Sequence, residues 1–139
     1  MFAWITKHFT RWKNRSPASK GAYWEGVAAQ ALKKSGFKIV TRNWRGRRGE
    51  LDIVATDGEV LVFVEVRSRG AAALVRGFQS ITRHKRTVLR DTCNDYLSRL
   101  RKRPDTYRFD VMEICYNSPE DFELKHYRSV PLFSTGRAR

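Results

Sequence analysis

Three carboxylates between residues 50 and 67 recur at a spacing that can do chemistry. Glu50–Thr56 and Glu59–Arg67 are two alternating apolar runs on either side of Asp57-Gly58, and Asp-Gly between such runs is the strongest short hairpin signal. Alternation puts Val60, Val62, Val64 and Val66 on one face and Leu61, Phe63, Glu65 and Arg67 on the other. With Asp57-Gly58 as a two-residue turn, Thr56 pairs with Glu59, Asp52 faces Phe63, Glu50 faces Glu65, and Arg67 lies across from Arg48. Glu50, Asp52 and Glu65 then project from one face, with directly opposed Cβ atoms about 5 Å apart and diagonal ones about 7 Å.

Like charges opposed across strands destabilise a sheet, so the arrangement needs a reason. A hard divalent cation, Mg²⁺ or Mn²⁺, is one: it is held by one or two carboxylates, waters and substrate phosphate. Such an ion lowers the pKa of its bound water and stabilises charge on an attacked phosphate. A cation on the same strand face could stabilise the transition state. The structural alternative is that Glu50 is solvated at the strand end while Arg48 and Arg67 neutralise Glu65 and Asp52.

The elements that must hold these residues read as an α/β domain. A first helix is expected at about Gly21–Lys34, with Trp24, Val27, Ala28, Ala31 and Leu32 as its apolar face and Gly36 as its stop. Glu25 falls at the edge of that face, where a carboxylate needs a partner or a metal. A strand at about 37–43 and the hairpin follow, then a loop at 69–79 and a second helix at about Ile81–Leu100. Arg83, His84, Lys85, Arg86 and Arg90 crowd the start of that helix, the positive end of its dipole, so an anionic partner would relieve them. Strands at about Tyr107–Cys115 and Phe122–Arg128 close the domain.

The charge balance agrees with an anionic partner. The 139 residues carry 28 Lys and Arg against 14 Asp and Glu, a net +14 with pI near 10.5, the footprint of a nucleic-acid binder. Cys93 and Cys115 form no CxxC pair, which argues against zinc and suits a reducing cytoplasm. No apolar run approaches the roughly 20 residues of a membrane span, and Met1–Ile5 is too short an apolar stretch for a signal peptide.

The ordered motifs Gly21-Ala-Tyr-Trp-Glu25-Gly-Val-Ala-Ala, Arg42-Asn-Trp-Arg45, Gly49-Glu-Leu-Asp52-Ile, Val62-Phe-Val-Glu65-Val-Arg67 and Arg108-Phe-Asp110-Val resemble the YraN-like uncharacterised family. That family in turn resembles the PD-(D/E)XK nuclease superfamily, in particular archaeal Holliday-junction resolvases. The resemblance implies a restriction-endonuclease-like core, with a mixed sheet of about five strands flanked by two main helices. It implies a metal-dependent endonuclease acting on DNA, branched DNA included, and by analogy a homodimer. Glu25, Asp52 and Glu65 match its metal ligands. Arg67 stands where the E-x-K element has its lysine, and completes the implied catalytic set. Lys85 matches a basic second-helix residue facing substrate. With Arg45, Arg48, Arg67, Arg83 and Arg86 it makes up the expected nucleic-acid contacts.

Arg keeps the charge and can clamp a phosphate, but it cannot deprotonate to serve as a base. A competing reading is therefore a non-catalytic DNA- or RNA-binding module on the same scaffold, with Tyr23, Trp24 and Trp44 as candidate stacking surfaces, at least two of them expected to belong to the core instead. A third is a basic adaptor docking on a membrane or an acidic protein through residues 1–20. There Phe2, Ile5, Phe9 and Trp12 recur at helical spacing. Three regions follow: a basic arm at 1–20 with a linker around Ser16-Pro17, a nuclease-like domain at 21–130, and a basic tail at 131–139.

Overall fold

The computed structural model describes residues 12, 14–71 and 81–133. Their elements run α1 (Pro17–Lys34), β1 (Lys38–Arg45), β2 (Glu50–Asp57), β3 (Val60–Gly70), α2 (Arg83–Ser98), β4 (Tyr107–Ser118) and β5 (Asp121–Tyr127). The strands make one mixed sheet in the order β1-β2-β3-β4-β5, with β3 and β4 parallel and every other pair antiparallel. The expected mixed five-stranded sheet with two main helices is thus present.

Period-two alternation feeds two cores. On one face Val62, Val64, Met112 and Ile114 pack under Trp24, Ala28 and Leu32 of α1. On the other Leu61, Phe63, Phe109 and Val111 pack under Leu89, Cys93, Tyr96 and Leu97 of α2. β3 supplies both faces, and this is why it reads as a continuous apolar run. β3 also extends past Arg67 to Gly70, because β4 pairs with it as far as Tyr116. The expected loop at 69–79 therefore begins as strand, and its remainder from residue 72 lies outside the described residues.

Two expectations are corrected. The helix does not start at Gly21: Ser16 is its N-cap, accepting from the Ser19 amide at 3.1 Å, and Pro17 takes the first turn. Proline's missing N–H costs nothing there, so Ser16-Pro17 is a helix start rather than a linker. Trp12 is buried against Tyr23, Trp24 and Tyr116, and Leu132 is buried at the other end. The core therefore passes both expected domain limits. Phe2, Ile5 and Phe9 lie outside the described residues, as does the tail from 134.

The hairpin register is the second correction. Asp57 pairs with Val60 and Thr56 with Leu61, so the turn residues are Gly58-Glu59, not Asp57-Gly58. Gly58 has φ +59°, the left-handed value that a II′ turn needs at its first central position. Asp57 stays in the strand and ion-pairs with Arg108 at 3.0 Å. The shift is two residues, so every side chain keeps its face.

Beside Phe37 lies a buried charge network. Asp110 is fully buried and accepts from Arg108 Nε at 2.9 Å and the Ser129 amide at 2.9 Å, with His126 Nε2 at 2.8 Å. Burial alone would push its carboxyl up, but the bonds from His126, Arg108 and Ser129 outweigh that and hold it below the usual carboxylate value. A depressed acid lends stability that is fully present above its unfolded value, near 3.8, and is lost as pH falls through its lower folded value. Asp110→Ala is expected to cost about 3–5 kcal/mol at neutral pH. In urea melts across pH, the gap to wild type should close below about pH 3.8.

Candidate active site

The β2–β3 ladder is recorded from Asp57↔Val60 to Ile53↔Val64, and the acidic residues collect just beyond it. There the Val66 amide donates to Asp52 Oδ2 at 2.9 Å, so a side chain satisfies this backbone donor of β3. The neighbouring Glu65 carboxyl, 5% exposed, acts on Asp52 as well. Like charges side by side in a half-dry setting repel each other. Burial first, and then Glu65, raise the Asp52 carboxyl well above its usual range. The Val66 hydrogen bond and Lys85 offset this only in part.

Two cations reach the same oxygen. Lys85 Nζ, from the first turn of α2, lies 3.1 Å from Glu65 Oε1, and Arg67 Nη1 lies 3.8 Å from it. Thr82 caps that turn by accepting from the Lys85 amide at 3.1 Å, which fixes where the lysine leaves the helix. Glu50, Asp52, Glu65, His84, Lys85, Val88 and Leu89 line a cavity of about 420 Å³. Glu25 joins from α1. Its carboxyl is raised to about 6 by burial first and by Asp52 and Glu50, against Arg42 and a hydrogen bond from Asn43. Asn43 holds φ +52°, which asparagine tolerates better than most residues.

The structure thus brings together Asp52, Glu65, Arg67 and Lys85, with Glu25 within Coulombic range of Asp52. Among the described residues no three His, Cys, Asp or Glu side chains converge tightly enough to hold an ion. Two adjacent carboxylates with hard oxygen donors still suit Mg²⁺, which keeps several waters and takes one or two carboxylates.

The basic set divides. Arg83 and Arg86 are exposed on α2, around Lys85 and His84. Arg45 is exposed at the end of β1. Arg48 does not face Arg67. It sits in the turn after β1 and pairs with Asp91 of α2 at 3.1 Å. Asp95 accepts from the Arg47 amide at 3.0 Å, and a Cβ on Gly49 would lie 2.8 Å from Thr92 Oγ1. The basic turn is therefore clamped flat on α2 beside Glu50.

The three aromatics pack on the two cores, as expected of at least two of them. Trp24 is wholly buried. Tyr23 packs edge-on against Trp12 and Trp24, and Trp44 packs edge-on against Tyr96 under Arg99.

Sequence reasoning missed Asn43, Arg42, Glu113 and Arg69. Glu113 is buried, sits opposite Arg67 in the β3–β4 register, and bonds Arg69 at 3.2 Å. Its signal was an acid flanked by the apolar residues Val111, Met112, Ile114 and Cys115.

A sheet-borne carboxylate pair beneath a cationic helix start defines a basic α/β domain with one concentrated polar site. The chain belongs to the Uncharacterised protein family UPF0102, whose model matches residues 24–114, the stretch that holds every residue of the site. Among similar proteins, a UPF0102 protein of Beutenbergia cavernae is 37% identical over 116 residues, spanning 84% of this chain and 98% of its own length. One of Chlorobium limicola is 33% identical over 114 residues, spanning 82% and 88%. One of Dichelobacter nodosus is 41% identical over 112 residues, spanning 80% and 89%.

A raised carboxyl is one that the fold penalises when ionised. Asp52→Asn keeps an acceptor for the Val66 amide and can donate to Glu65. In chelator at pH 8 it is expected to stabilise the protein by about 1–3 kcal/mol in urea melts. A loss of stability in the Asp52→Asn protein would contradict the repulsion argument.

Proposed function

We propose that this chain is a Mg²⁺-dependent nuclease acting on DNA, branched DNA included, built on a restriction-endonuclease-like core. The observation that carries the reading is the Asp52–Glu65 pair, destabilised in isolation and lying with Lys85 in one cavity beneath an acid-free helix start. Active sites are where a fold tolerates such uncompensated charge.

Asp52 and Glu65 would hold the ion, with Glu25 beside Asp52. When bound, Mg²⁺ lowers the pKa of a water and neutralises charge on the phosphate. Arg67 contributes a charge that persists at every working pH and a fork that fits phosphate oxygens. Arg83 and Arg86 at the mouth and Arg45 and Arg48 on the turn bind backbone phosphates. Arg83 and Arg86 also find there the anion that the helix dipole requires. No helix among the described residues is long and apolar enough to cross a membrane. We assign the protein to the cytoplasm, where its free cysteines stay reduced, and by analogy with junction resolvases to a homodimer.

One observation favours a second reading, a DNA- or RNA-binding module without cleavage: Arg67 occupies the position of the motif lysine. A single assay separates the two. Labelled single-stranded, duplex, flapped and four-way-junction DNA, and RNA, are offered with Mg²⁺, Mn²⁺ or chelator. The nuclease reading expects metal-dependent scission that falls on the order of 100-fold or more in Asp52→Asn and Glu65→Gln, with binding in chelator kept within a few-fold. Salt-sensitive binding with no scission in any protein would establish the module instead.

A further inference from the structure

The oxygen that a metal would need is already taken. Glu65 Oε1 has Lys85 Nζ at 3.1 Å and Arg67 Nη1 at 3.8 Å. The two cations are not alike. Arg67 is on β3, its side chain 24% exposed, with Glu65 on its own strand and Glu113 opposite in the register. Lys85 is on α2, its side chain 42% exposed, and lines the cavity that Arg67 does not line. A guanidinium held on a strand is a fixed charge. An ammonium on a flexible four-carbon stem is a compact charge that can be relocated within the cavity.

Resting on the nuclease reading above, we propose that Lys85 is a resident counter-ion of the Asp52–Glu65 pair, displaced from Glu65 by the divalent cation and turned toward substrate phosphate. The physical argument is substitution of charge. Without an ion, two adjacent carboxylates need a cation, and Lys85 is the nearest to Glu65. An ion that ligates Glu65 takes over that neutralisation and repels the ammonium. The displaced ammonium must find its new partner in an anion in the same cavity. A phosphate bound there is the anion at hand. Cation and phosphate then bind with positive coupling, because the ion frees the group that the phosphate uses. Lys85 thereby supplies a mobile lysine charge where the strand position offers only Arg67.

The coupling is measurable without cleavage. Mn²⁺ binding is followed by calorimetry on the full-length protein without DNA. A half-exposed ion pair contributes about 0.2–1 kcal/mol, so removing it should tighten Mn²⁺ binding about two- to fivefold in Lys85→Gln. Lys102→Gln removes the same charge at an exposed position beyond the end of α2 and should leave the Mn²⁺ affinity at the wild-type value. Affinity for a short DNA duplex is then compared in Ca²⁺, used as a non-cleaving ion, and in chelator. Wild type should gain affinity on adding Ca²⁺, and Lys85→Gln should lose most of that gain. Weaker or unchanged Mn²⁺ binding in Lys85→Gln, or an equal tightening in Lys102→Gln, overturns the proposal. The two readings fail separately. If Glu65→Gln and Asp52→Asn abolish Mn²⁺ binding while Lys85→Gln matches wild type, only the counter-ion role falls. If the carboxylate variants bind Mn²⁺ like wild type, the metal site falls and takes this proposal with it.

Discussion

The repulsion between the neighbouring Asp52 and Glu65 carboxyls is the constraint around which the site is arranged. Two like charges side by side in a half-dry setting are costly. The fold meets that cost from several directions: the Val66 amide on Asp52, Lys85 on Glu65, and Arg67 behind it. Val66 and Arg67 come from β3 and Lys85 from the first turn of α2, so the site forms only when the hairpin and the start of α2 are both in place. The glycine turn after β1 has the same dependence. Gly49 is close against Thr92, and Arg48 and the Arg47 amide are tied to Asp91 and Asp95.

The two halves of the sheet treat charge differently. The Asp110 network is closed, with every partner placed and the carboxyl depressed. The Asp52 cluster is open, with the carboxyl raised and a cavity beside it. A closed network stabilises the fold and an open one is available to a ligand. That contrast within one domain is why the function is assigned to Asp52 and Glu65 and not to the equally acidic surroundings of Arg108.

Much of this was legible in the sequence. Alternation in 50–67 was enough to put Asp52 and Glu65 on one face, while Lys85 was drawn to the substrate side by the family resemblance alone. The turn was misread because Asp-Gly fits two registers. Asp57 remains in its strand through an ion pair with Arg108, 51 residues away, which no local rule sees. The assignment of faces survived because a slip of two residues preserves parity. The partnership of Arg48 with Asp91 and the packing of Trp12 on Tyr116 were not legible, since each depends on how helices dock on the sheet. Glu113 was hidden for the same reason: its partner on β3 is set by a parallel pairing with a helix between the strands.

The most direct test of the central claim is a crystal of the protein soaked in Mn²⁺, read by anomalous scattering. The account predicts one strong peak about 2.2 Å from a carboxylate oxygen of each of Asp52 and Glu65, with Lys85 turned away from Glu65. A map with no peak at this cluster, and Lys85 still seated on Glu65 in the presence of the ion, would contradict it.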